Sequence, residues 1–172
     1  KKDSTGICFI GETHFRKFLN RFLPLKKGPI MDLDGREIGE HHGAVYYTLG
    51  QRKGLGIGGV KNAGEDPWFV VGKDVAKNII FAAQGADNPA LLEKQLYTAG
   101  VSWISGEAPK FPFDCSAKIR YRQADQVCTV SESVNNELKV TFRDEQRSIT
   151  PGQSVVFYTE DQCLGGGIIS RT

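Results

Sequence analysis

The 172 residues carry 22 Lys and Arg against 20 Asp and Glu, a formal net charge of +2, with 40% hydrophobic and 24% charged residues. These are ordinary globular values, so the chain can bury a core; the charge is too small to announce nucleic-acid binding, and any RNA contact has to come from local clusters such as Arg52-Lys53 or Lys118, Arg120 and Arg122. No apolar run approaches ~18 residues and there is no signal peptide, so neither a membrane span nor secretion is supported, and a cytoplasmic chain without a membrane partner is expected.

The first feature along the chain is Cys8, in the stretch Asp3-Ser4-Thr5-Gly6-Ile7-Cys8-Phe9-Ile10-Gly11 directly ahead of a helical pattern. A helix N-terminus offers unpaired N–H groups and a positive dipole end, and Lys1 and Lys2 add positive charge; all favour thiolate over thiol. The competing reading is a small buried hydrophobe between Ile7 and Phe9. Phe15, Phe18, Leu19 and Phe22 recur at i, i+3, i+4, i+7, with Thr13 as N-cap and Pro24 as the stop, which predicts one short helix. Strands are predicted at Gly28–Met31 and Arg36–Gly39, joined at Asp34-Gly35 by a type I′ hairpin turn. Further strands are read at Ala44–Leu49, Trp68–Val71 and Asn78–Ala83. Asp87-Asn88-Pro89, with Leu91-Leu92, marks a domain boundary, giving domains 1–90 and 91–172.

From residue 94 onward short strands alternate with polar turns, around Leu96–Val101, Phe113–Tyr121, Gln126–Ser133, Glu137–Phe142, Gln146–Ile149, Ser154–Tyr158 and Cys163–Ile169. So many short strands in so little chain point to a small closed barrel, because closure removes exposed edges. Gly165-Gly166-Gly167 inside the last strand fits a bulge or a tight corner. The fold class is therefore mainly β with one short N-terminal helix: a small β-rich domain followed by a closed β-barrel.

Gly54-Leu55-Gly56-Ile57-Gly58-Gly59 satisfies G-x-G-x-x-G, but the adjoining stretch from Val60 to Pro67 is polar and ends at a proline, so no helix N-terminus is available for a pyrophosphate. The glycines instead let Gln51-Arg52-Lys53 approach a backbone or phosphate closely, unless the segment is a plain exposed turn. His41-His42 are read as turn residues and His14 as helix surface, and no metal site is expected. The four cysteines, at 8, 115, 128 and 163, include no Cys-x-x-Cys pair, which argues against structural zinc and a redox dithiol; Cys115, Cys128 and Cys163 read as core thiols. Arg120-Tyr121-Arg122-Gln123, taken as a strand, puts two guanidinium groups side by side. They repel unless an anion lies between them, which points to phosphate or ribose contact with Tyr121 free to stack; the alternative is surface ion pairing to Asp125, Glu137 or Asp144.

Lys2-Asp3-Ser4-Thr5-Gly6-Ile7-Cys8-Phe9-Ile10-Gly11, Tyr47-Thr48-Leu49-Gly50-Gln51-Arg52-Lys53-Gly54-Leu55-Gly56-Ile57, Pro67-Trp68, Arg120-Tyr121-Arg122-Gln123, Thr150-Pro151-Gly152-Gln153 and Cys163-Leu164-Gly165-Gly166-Gly167 together resemble the bacterial tRNA-specific 2-thiouridylase family. No Ser-Gly-Gly-x-Asp-Ser loop appears and the chain starts on a motif at Lys1, so it is expected to be a C-terminal fragment lacking the ATP-pyrophosphatase domain. The resemblance implies a last domain similar to the second domain of translation elongation factors. It implies thiolation of the wobble uridine of a tRNA at C2, with ATP and Mg2+ acting in the missing domain and neither bound by this chain.

By the same resemblance Cys8 receives sulfur from a sulfur-relay protein and holds it as a persulfide, which a second cysteine in the missing domain attacks, releasing sulfide or displacing it as a disulfide. Gln51, Arg52, Lys53, Arg120, Tyr121 and Gln153 are the implied tRNA contacts. Asp3 is close enough in sequence for acid–base work. Without the ATP loop and the partner cysteine, the chain alone is expected to be inactive. The competing functions are a non-catalytic RNA-binding barrel and a protein-docking module, in both of which Cys8 is incidental.

Overall fold

The computed structural model describes residues 26–57, 60, 64–134 and 137–172. The predicted helix, Asp3, Cys8 and His14 lie outside the described residues. The chain divides into two compact units, with the break after Ala82.

The first unit is built on a four-stranded sheet of order β2-β1-β4-β3, with β1 Gly28–Met31, β2 Glu37–His41, β3 Trp68–Asp74 and β4 Ile79–Gln84. β1 runs antiparallel to β2 and parallel to β4, where Ile30 lies against Ile80. Ile30, Ala44, Tyr47, Leu55, Val70, Ile80 and Ala82 form its core. The β1–β2 hairpin is where the sequence puts it, but its turn is not type I′. That type needs positive φ at both central residues, and only Gly35 has it, at 80°. Asp32 closes the connection instead: Oδ1 accepts from the N–H groups of Asp34 and Arg36, and Oδ2 accepts from Arg36 Nε.

Ala44–Leu49 is not a strand. Ala44–Tyr46 is a 3-10 turn entered through Gly43, with Tyr46 N–H donating to Gly43 O and Tyr47 N–H to Ala44 O. The aromatic and β-branched composition favours a strand, but the buried positions are Ala44 and Tyr47, while Val45 between them is 44% exposed. Burial at i and i+3 is the spacing of a 3-10 turn, not of a pleat. His41 is likewise no turn residue. It ends β2 and is fully buried.

The second unit is the expected closed barrel, all antiparallel, in the order β10-β5-β8-β7-β6-β9. Its strands are β5 Leu92–Trp103, β6 Phe113–Lys118, β7 Gln126–Glu132, β8 Leu138–Arg147, β9 Ser154–Thr159 and β10 Gln162–Arg171. Alternate residues of every strand fill the interior, among them Leu96, Ala117, Val130, Val140, Phe142, Val155, Phe157 and Ile169. Glu137–Phe142 and Gln146–Ile149 are not separate strands. β8 runs through Arg143-Asp144-Glu145, which bulge outward where Thr141 pairs with Gln95 and Gln146 with Glu93; a bulge lets charged residues sit mid-strand without facing the core. The glycine run behaves as read, with pairing shifts on both sides of it, between Cys163 and Gly165 and between Gly166 and Ile168. No helix among the described residues is long and apolar enough to cross a membrane.

Candidate nucleic-acid interface

β6 stops at Lys118, so Arg120-Tyr121-Arg122-Gln123 is not a strand and the two arginines do not share a pleated face. The segment is the β6–β7 turn: Gln123 N–H donates to Arg120 O, and Arg122 takes a left-handed φ of 68°. The side chain of Gln123 holds the base of this turn. Its Oε1 accepts from Ile119 N–H and its Nε2 donates to Gln146 Oε1, while Gln146 Nε2 reaches Gln126 Oε1 and Asp144 O. Gln146, at the centre of this amide chain, is buried while Gln123 and Gln126 are half-buried, and the chain fixes where the exposed turn points.

The turn forms one wall of a groove of about 500 Å³ lined by Lys118, Ile119, Arg120, Tyr121, Arg122, Gln153, Ser154, Val156 and Tyr158. Gln153 arrives on Thr150-Pro151-Gly152-Gln153, a type II turn: proline second, Gly152 at φ 86° third, and Gln153 N–H donating to Thr150 O. Arg120 Nη2 donates to Ser148 O at 3.0 Å, which steadies the guanidinium at the groove. Arg122 lies over the Tyr121 ring, 5.5 Å from its centre, and Lys118 over Tyr158 at 5.0 Å. Tyr121 is 87% exposed. The lining carries three cations and no carboxylate. Of the acidic partners weighed from sequence, Asp125 pairs with Lys118 and Glu137 with Arg171.

Three of the sequence-derived contact residues, Arg120, Tyr121 and Gln153, thus meet in one groove although 31 residues of chain lie between Tyr121 and Gln153. Tyr158 carried no such signal in the sequence. It stands beside Lys118 because β6 pairs with β9, Ser116 opposite Tyr158 and Lys118 opposite Val156.

Gln51, Arg52 and Lys53 belong to the first unit. The loop is pinned to its core by Leu55 and by Tyr47, whose hydroxyl donates to Gly54 O. The Gln51 amide is used inside the loop, accepting from Thr48 N–H and donating to Lys53 O, whereas Arg52 and Lys53 are exposed. The Gly54–Gly56 stretch does not fit a nucleotide. Leu55 is buried between the two glycines, and among the described residues no helix begins there whose N–H groups could receive phosphate. Among the described residues no cluster of His, Cys, Asp and Glu is suited to a metal ion.

Cys115, Cys128 and Cys163 are free thiols, and only Cys128 is fully buried. Cys115 departs from the inert core thiol expected of a strand: the hydrogen bond it shares with the Cys128 thiol lowers its pKa, and the same bond with burial pushes Cys128 up.

Residues 16–84 match the family model described as the tRNA methyl transferase PRC-barrel domain, and residues 93–169 match the aminomethyltransferase beta-barrel domain. The two units are therefore the paired domains of a tRNA-modifying class of protein. The chain is 57% identical over 98% of its length to the tRNA-specific 2-thiouridylase MnmA of Francisella philomiragia, and 56% and 55% identical to those of Francisella tularensis subspecies novicida and tularensis. It belongs to the tRNA-specific 2-thiouridylase family. It spans about half the length, 47%, of these curated relatives.

Proposed function

We propose that this chain is the tRNA-docking and sulfur-carrying part of a tRNA 2-thiouridylase, a sulfurtransferase that replaces the C2 oxygen of the wobble uridine with sulfur in the cytoplasm. The observation that carries the reading is the barrel groove, with Arg120, Tyr121 and Gln153 in one lining that has cations and no carboxylate. Arg120 and Arg122 suit a backbone phosphate, the open face of Tyr121 suits an unpaired base, and the Gln153 amide offers a donor and an acceptor to a base edge or a 2′-hydroxyl. Arg52 and Lys53 add phosphate contacts from the other unit. Anticodon-loop bases are unpaired, so they are the ones least costly to splay onto such a surface.

Cys8 is the proposed sulfur carrier, taking a persulfide from a sulfur-relay protein and presenting its terminal sulfur for transfer. ATP with Mg2+ is assigned to a part of the enzyme outside these 172 residues, whose sequence holds no Ser-Gly-Gly-x-Asp-Ser loop. The test is Cys8→Ser in the protein as the cell makes it, with 2-thiouridine measured by mass spectrometry of its tRNA. Loss of 2-thiouridine with tRNA binding retained is expected. Normal 2-thiouridine levels remove Cys8 from the reaction and leave a non-catalytic RNA-binding module.

A further inference from the structure

We propose that Cys115 and Cys128 are a redox-sensitive dithiol, which a hydroperoxide closes into a disulfide across the β6–β7 hairpin. Twelve residues separate the two in sequence, so no dithiol motif announces them. Strand register brings them together: Cys115 lies directly opposite Cys128, both among the inward-facing residues of the barrel, with their Sγ atoms 3.6 Å apart. That is sulfur contact distance, and a disulfide requires a further approach of roughly 1.5 Å, within reach of χ1 adjustment on facing residues. No third ligand joins them among the described residues, so a metal site is not the better reading.

The two thiols are unequal. Cys128 is 2% exposed, whereas Cys115 is only partly buried and has its pKa lowered by the Sγ–Sγ hydrogen bond, in which either sulfur can donate. Cys115 is therefore the thiolate that meets the oxidant and Cys128 the resolving group. Cys115 sulfur attacks the distal oxygen of the hydroperoxide, the O–O bond breaks, and the alkoxide or hydroxide leaves and takes a proton, giving Cys115 sulfenic acid. Cys128 then gives up its proton, its sulfur attacks Cys115 sulfur, and hydroxide departs as water. Two thiols and one hydroperoxide become one disulfide, one alcohol or water from the peroxide, and one further water. The thiols are oxidised by two electrons and the peroxide is reduced by two. A dithiol reductant reverses the step, as expected for a bond that is partly exposed and geometrically forced.

The closed loop contains residues 116–127, hence the whole turn that carries Arg120, Tyr121 and Arg122 and the Gln123 anchor beneath it. Oxidation thus staples the hairpin that forms one wall of the groove. The dithiol itself does not depend on what the groove binds.

The test uses the 172-residue chain with Cys8→Ser and Cys163→Ser, leaving only the pair, treated natively with hydrogen peroxide, alkylated and mapped after trypsin. Cleavage at Lys118, Arg120 and Arg122 separates the two cysteines, so a disulfide joins two peptides. The expected result is that linked pair, lost on dithiothreitol treatment, and, with Cys128→Ser added, a Cys115 sulfenic acid captured by dimedone. Recovery of both cysteines as alkylated free thiols after peroxide, or oxidation of Cys115 to sulfinic acid with Cys128 still a thiol, overturns the proposal.

Discussion

His41 and Asn78 are joined across 37 residues of sequence by a hydrogen bond of 3.1 Å between the imidazole Nε2 and the Asn78 carbonyl. Nδ1 of the same ring accepts from Gly43 N–H, so the ring is neutral with its proton on Nε2. Asn78, itself at a left-handed φ of 57°, also accepts from Ala44 N–H and donates to the carbonyls of Lys26 and Lys27. The end of β2, the approach to β1 and the 3-10 turn therefore meet at one node. Gly28 faces it, and a Cβ there would fall on the Asn78 carbonyl oxygen.

This node makes the first unit acid-sensitive. Burial holds the His41 pKa below the ordinary 6.5, with His42 nearby acting the same way and the Asn78 bond opposing. The unfolded chain then binds a proton that the folded chain refuses. The stabilisation is complete above about 6.5 and is lost as pH falls from there toward the folded pKa, with a slope of at most about 1.4 kcal/mol per pH unit. Urea unfolding followed by Trp68 fluorescence in a Trp103→Phe background should show this loss between pH 7 and 5. His41→Gln should be less stable at pH 7 and flat over the same window. An equally steep fall in that variant assigns the sensitivity elsewhere.

Much of this was legible in the sequence, where local pattern decides. β3, β4, β6, β7, β9 and β10 all start within one residue of the predicted position, because a turn-forming Pro, Asn, Asp or Gly stands within two residues ahead of each. What failed was set by partners distant in the chain. Ala44–Tyr47 folds as a 3-10 turn because Asn78 Oδ1 holds Ala44 N–H. β8 continues through three charged residues because a bulge against β5 turns them outward. Gln146 looks like any surface glutamine until β8 is placed beside the β6–β7 turn, and the Cys115–Cys128 pair exists only once register is known.

Gly166 tests the crossing of β10 between its neighbours. A Cβ there would lie 2.6 Å from Val155 O and 3.3 Å from Val156 Cα, both backbone atoms of β9 that cannot step aside. Gly166→Ala should cost ~1–3 kcal/mol, as overpacking does, which lowers the barrel melting temperature by about 4–8 °C per kcal/mol. Gly106→Ala is the control: its φ is 84°, but open space surrounds its Cβ. A smaller loss there, read by calorimetry, separates steric contact from backbone conformation.

Gln146→Leu keeps the bulk and removes the amide that joins Gln123 to Gln126. Two half-buried partners, Gln123 and Gln126, lose a bond, at up to about 1–3 kcal/mol for each group left unsatisfied. The Arg120–Gln123 turn should loosen, so tRNA affinity should fall although Gln146 does not line the groove. Thermal unfolding and tRNA binding by anisotropy check this together. A destabilised variant with unchanged affinity would show that the amide chain supports the barrel and not the turn.

The groove itself is tested by salt. Arg120→Ala together with Arg122→Ala removes two of its three cations. If each holds a phosphate, the slope of log affinity against log salt should become shallower by about 0.7 to 0.9 per lost contact, with affinity falling uniformly across tRNA sequences. Lys118→Ala should change the slope least, because Asp125 already neutralises it at 3.0 Å. Tyr121→Ala should behave differently again: a stacked base is worth about 1–3 kcal/mol and carries no counterion, so affinity should drop with the slope intact. Titrations at several salt concentrations with the same tRNA distinguish the three variants. An unchanged slope in the double variant would mean that the arginines serve the turn itself, through the Ser148 carbonyl and the Tyr121 ring, and that the phosphates lie elsewhere.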